Sequence, residues 1–175
     1  IPIQIKVAPQ RRTTNKVENE FFMVQKNKKA TLLQKILEQY RVTILVFVRT
    51  KFAAKRLTKA ARAWGHGATE IHSDRSLAQR REAMAGFKHG TFRVLVATDI
   101  AARGIDVTNI ELVVNYDLPT QPEDYVHRIG RTARAGRKGK AVSFVQPDQK
   151  RELFMIERLI RSRIPVGKLP DLPMP

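Results

Sequence analysis

Residues 127–140, HRIGRTARAGRKGK, set arginines at 128, 131, 134 and 137 beside His127, Lys138 and Lys140. A guanidinium stays charged at any working pH and presents a planar fork of donors suited to bidentate phosphate contacts. A spacing of three walks steadily off one helix face, and Gly130 and Gly136 interrupt regular helix. The segment therefore reads as a short helix, EDYVHRI at 123–129, passing into a loop that projects Arg131 and Arg134 near the helix end. Charge alone leaves a generic polyanion patch equally open. A second segment, ATDIAARGIDV at 97–107, reads as a loop beside a buried strand, with Arg103 and Asp106 flanking Gly104. In that setting Asp106 could accept hydrogen bonds from ribose hydroxyls and Thr98 could donate to a backbone phosphate. The same residue types also serve ordinary turns and caps.

Such groups need a rigid scaffold. TILVFV (43–48), RVLVAT (93–98), ELVVNY (111–116) and AVSFV (141–145) are short β-branched runs, apolar on both faces, and ATEIH (68–72) and FFMV (21–24) are weaker versions. Between them lie helical patterns at 28–40, 51–64, 76–88 and 149–163; Ser76 followed by Gln79 has the form of a capping box. Alternating strands and helices predict an α/β fold: an open parallel sheet with helices on both faces. Ligands of such sheets bind beyond the carboxyl ends of the strands. There the sequence sets Arg49 and Thr50, Ser73 and Asp74, Thr98 and Asp99, and Tyr116 and Asp117, although strand ends turn polar on leaving any core.

The 175 residues are enough for one domain. With no cysteine and four scattered histidines, disulfides and thiolate sites are excluded and no metal centre is expected. No apolar run reaches membrane-spanning length, so a soluble, cytoplasmic protein is expected. The chain starts without methionine or a signal pattern and reads as a piece of something longer. Net charge is +17, from 33 Lys+Arg against 16 Asp+Glu, which would steer the protein toward polyanions. Residues 39–69 carry seven basic residues and no acid, whereas 99–124 holds Asp99, Asp106, Glu111, Asp117, Glu123 and Asp124. The expected division is a linker at 1–20, a domain at 21–164 and a proline-rich tail at 165–175.

VFVRT (46–50), ATDIAARGIDV and YVHRIGRTARAGRKGKAVSF (125–144), in this order and spacing, resemble motifs IV, V and VI of the DEAD-box RNA helicases. The resemblance runs from about Lys28 to Ile164 and implies the second, carboxyl-terminal RecA-like lobe; HSDRSLAQRREAMAGFKHG (72–90) is similar to a bacterial RhlE-type branch. It implies that Arg131 and Arg134 act as arginine fingers on ATP, that His127 and Arg128 communicate with the other lobe, and that Asp106 holds the ribose. Thr98, Gly104 and Arg80 would contact the RNA backbone, with Thr50 a weaker candidate. Cofactors would be ATP and Mg2+, held mainly by an amino-terminal lobe; partners would be RNA, that lobe in cis, and ribonucleoprotein or ribosome-related proteins.

Two positions depart from the family pattern. Leu77 stands where many relatives carry glutamine, and Ala133 replaces a commoner glycine, a change that is tolerated if the backbone there is helical. The sequence contains neither a GxxxxGK[ST] phosphate loop nor a DEAD tetrapeptide, so the chain is not expected to hydrolyse ATP unaided. An ATP-independent RNA-binding or adaptor domain and a basic structural protein are the competing readings. Asp106 weighs against both, because a carboxylate would repel a plain phosphate ligand.

Overall fold

The computed structural model describes residues 17–103, 109–133, 138–170 and 172. Six strands form one sheet: β1 (Val17–Met23), β2 (Ile44–Val48), β3 (Ala68–Ile71), β4 (Val94–Thr98), β5 (Leu112–Asn115) and β6 (Gly139–Val145). Their order is β1-β6-β5-β2-β4-β3, and every pairing is parallel. Central β2 pairs with both β4 and β5, so Phe47 lies between Ala97 and Asn115.

Strand alternation explains why both faces need cover. Leu45 and Phe47 join one core with Ala83, Phe87, Ala101, Ile129 and Ile156; Ile44, Val46 and Val48 join the other with Leu33, Ile36, Ala54 and Leu57. The first core is covered by α3 (Leu77–Lys88), the short α4 (Asp99–Arg103), α5 (Pro122–Ile129) and α6 (Lys150–Ile160), and the second by α1 (Lys29–Gln39) and α2 (Lys51–Ala63). Helix α1 has neither a side-chain cap nor an acidic first turn. Burial of Leu32, Leu33, Ile36 and Leu37, at roughly 1.5–3 kcal/mol per side chain, therefore decides its formation. Helix α3 carries the expected capping box: Gln79 N donates to Ser76 Oγ at 3.1 Å and Ser76 N to Gln79 Oε1 at 2.8 Å.

Both margins of the domain differ from expectation. β1 begins at Val17 rather than at Phe21, because residues 17–20 pair in register with 139–142 of β6. Residues 165–167 lie along the outer edge of β1: Phe21 N donates to Pro165 O at 2.9 Å, and Gly167 N to Phe21 O at 2.7 Å. Leu172 is buried in the core that α1 and α2 cover. The proline-rich segment thus covers a sheet edge that would otherwise expose unpaired amides. Among the described residues no helix is long and apolar enough to cross a membrane.

Candidate functional site

At the carboxyl end of β2, Thr50 caps α2 by accepting from Ala53 N at 3.2 Å, and its residue is exposed. Thr98 closes β4, half-buried. Arg80, in the first turn of α3, leans over the loop after β3, where its Nη2 meets the His72 carbonyl at 3.4 Å. His72 itself is fully buried and accepts from Asp74 N through Nδ1 at 3.2 Å; burial holds its pKa below the usual imidazole value. Glu70 faces both His72 Nε2, at 3.4 Å, and Arg75 Nη2, at 3.6 Å. Thr50, Thr98 and the start of α3, which carries Arg80, therefore share the carboxyl margin of the sheet.

The carboxylates of that margin are engaged within the lobe. Asp74 bridges Lys51, at 3.0 Å, and Lys55, at 2.8 Å, and these hydrogen bonds pull its pKa down to about 2. Asp117 takes the buried Lys29 ammonium at 2.7 Å and the Arg49 amide at 2.9 Å. Both aspartates stand in the polar row that follows the strands, and they fasten α2 to the β3 loop and α1 to the end of β2. Lys29, 3% exposed, carried no signal in the sequence beyond its place at a helix start.

Helices α4 and α5 hold the arginines. The 97–107 segment was expected to be a loop, but Asp99–Arg103 forms a turn of helix, with Ala101 and Ala102 buried against the core. Arg128 on α5 is 1% exposed and grips Asp99 with two parallel bonds, Nε to Oδ1 and Nη2 to Oδ2, both 2.7 Å. Its Nη1 donates to Asp117 O at 2.5 Å and Asn115 Oδ1 at 3.3 Å, and its Cζ lies 5.0 Å from the centre of the Phe47 ring. Within this lobe the Arg128 donors tie α5 to α4 and to the end of β5. Arg103 Nη2 meets Asp124 Oδ1 at 2.5 Å, and His127, with its side chain 64% exposed, lies 3.6 Å from the same oxygen.

Arg131 follows the end of α5. Its carbonyl accepts from Ile110 N at 3.1 Å, which sets its backbone level with the amino-terminal end of β5, and its Nη2 donates to Ala102 O at 3.2 Å. Thr132 bridges to Ile110 through both backbone pairing and a hydroxyl-to-carbonyl bond. The arginine end and the hydroxyl row thus occupy different margins of the sheet, α4 and α5 running between them. Ala133 has φ 59°, in the left-handed region, so the helical backbone on which its tolerance depended is not observed and its methyl group costs roughly 1–2 kcal/mol against glycine's freedom. Gly104, Asp106 and Arg134 lie outside the described residues.

Residues 27–136 match the family of the helicase conserved C-terminal domain. The chain belongs to that family. This helicase C-terminal domain is 40% identical over 172 residues to the DEAD-box ATP-dependent RNA helicase CshA of Bacillus subtilis, an alignment covering 98% of this chain and 35% of the relative. It therefore spans about a third of that protein's length. Among solved structures it is similar to a DEAD box protein from the hyperthermophile Methanococcus jannaschii, with TM-score 0.83 and 40% identity over 88% of this chain and 42% of that one. It is also similar to the E. coli DEAD-box protein SrmB, solved bound to regulator of ribonuclease activity A, with TM-score 0.82, 34% identity, and 91% and 97% coverage. The parallel sheet with helices on both faces is accordingly the RecA-like fold of DEAD-box carboxyl-terminal domains. The comparisons do not single out the RhlE-type branch.

Proposed function

We propose that this domain is the carboxyl-terminal lobe of an ATP-dependent DEAD-box RNA helicase, which binds the RNA backbone and completes an ATP site held mainly by an amino-terminal lobe of the same protein. In this reading Arg131 and Arg134 bear on the ATP phosphates, Asp106 on the ribose, and Thr50, Arg80, Thr98 and Gly104 on RNA. Lobe closure would separate a short duplex or remodel a ribonucleoprotein, and the working compartment would be the cytoplasm. Ribonucleoprotein or ribosome-related proteins would be the further partners.

The observation that carries this reading is the pair of clamps between α4 and α5. Arg128 to Asp99 and Arg103 to Asp124 lock the two helices side by side, and Arg131 then reaches Ala102 just before the segment that carries Asp106. A guanidinium presented from a braced helix end fits the phosphate end of a nucleotide, since its reorganisation during the reaction is small. Magnesium, held with the phosphates by the other lobe, would neutralise charge developing on them. Arg128 would act as a positioning residue: it fixes the helix from which His127 and Arg131 project. The test is ATP turnover and short-duplex separation by the two-lobe protein with and without RNA. RNA-stimulated turnover is expected, and turnover indifferent to RNA would refute the reading.

A further inference from the structure

We propose that Phe52 is a nucleobase-stacking platform at the rim of the RNA surface, a role that rests on the RNA-binding reading above and adds a contact to bases rather than to the backbone. Phe52 is 68% exposed in the first turn of α2. The apolar face of that helix is made by Ala53, Ala54, Leu57 and Ala61, all buried, so the register turns Phe52 away from the core and no packing need holds an aromatic ring there. The ring sits two residues beyond Thr50, at the carboxyl margin of the sheet.

Its surroundings are ordered. Lys51 Nζ lies 5.4 Å and Lys55 Nζ 6.0 Å from the ring centre, and Asp74 holds both ammonium groups, at 3.0 and 2.8 Å. Two lysines against one carboxylate leave a net positive charge beside an exposed π face. A ligand matching both features has an anionic backbone and flat aromatic faces, as single-stranded RNA has, and a base stacked on such a ring contributes without demanding a particular sequence. A protein partner would match the charge or the apolar ring but would not require a base.

The test uses the full chain and two short oligoribonucleotides of equal length, one of adenosines and one abasic, with affinity read by fluorescence anisotropy at fixed salt. Phe52→Ala should weaken the adenosine oligomer about fivefold or more and change the abasic one less than about twofold, while Phe52→Trp should retain or tighten adenosine binding. Equal loss on both oligomers, or none on either, would overturn the proposal; in that case Arg80→Ala still weakening both would leave the RNA-binding reading standing. If the wild-type chain binds neither oligomer, both readings fall. Because Phe52 is mostly exposed, neither substitution should disturb folding, and unchanged thermal midpoints check this.

Discussion

Replacing Arg128 tests whether one arginine of the cluster holds the fold while its neighbour Arg131 serves the ligand. In Arg128→Ala the Asp99 carboxylate loses both of its 2.7 Å partners, and the Asp117 carbonyl and Asn115 Oδ1 lose the donations at 2.5 and 3.3 Å. Breaking a buried pair by removing one member costs about 3–5 kcal/mol, because the remaining charge stays desolvated. The Asp99 side chain is 24% exposed and regains some water, which places the cost near the low end, about 3 kcal/mol. At roughly 2–4 °C per kcal/mol for a chain of this size, the thermal midpoint should fall by about 6–12 °C. Arg131→Ala removes a half-buried guanidinium at the rim and should cost about 1 kcal/mol or less. Thermal and urea unfolding followed by circular dichroism would measure both. Equal stability losses, or an Arg128→Ala midpoint within about 2 °C of wild type, would refute the division between them.

Ala133→Gly should stabilise the domain by about 1 kcal/mol, since φ 59° suits glycine and the gain is reduced by glycine's freer unfolded chain; a urea midpoint that falls would contradict this. Acid should weaken the fold through His66, which is buried with Nδ1 2.9 Å from Arg93 Nη2. Burial first, and then the Arg93 charge, lower its folded pKa below 6.5, so its contribution is fully present above pH 6.5 and is lost as pH falls through the folded value. Unfolding at pH 7.5 and 5.5 should show this loss, and His66→Gln should flatten it. Leu172→Ala should cost roughly 2 kcal/mol by emptying its place in the core, measurable as a lower urea midpoint, whereas a wholly detached tail would show no change.

The strands and long helices were legible because burial on both sheet faces writes continuous β-branched runs, while one-sided helix burial writes a 3.6-residue period. Strand order was not legible, since alternation of elements fixes parallel pairing but not which strands are neighbours. Helix α4 escaped notice because five residues are too few to display a period. Arg128 and Arg131 look alike in sequence; they part because α5 ends at Ile129, so one lies on the buried helix face and the other beyond the helix. At Asp74 and Asp117 the sequence left a binding edge and ordinary strand ends both open, because the lysines that engage them come from elsewhere in the chain, 88 residues away for Lys29. The left-handed backbone at Ala133 left its trace in the glycine that the family pattern more commonly carries there, while alanine itself gives no sign of such a conformation.

Arginines lent by this lobe to a nucleotide held by another are the centre of the proposed mechanism. Its most direct test is RNA-stimulated ATP turnover by the two-lobe protein carrying Arg131→Ala or Arg134→Ala, with Lys138→Ala as the control. Each arginine variant should lose about a thousandfold or more in turnover, while the lysine variant stays near wild type. Turnover preserved in both arginine variants would contradict that mechanism.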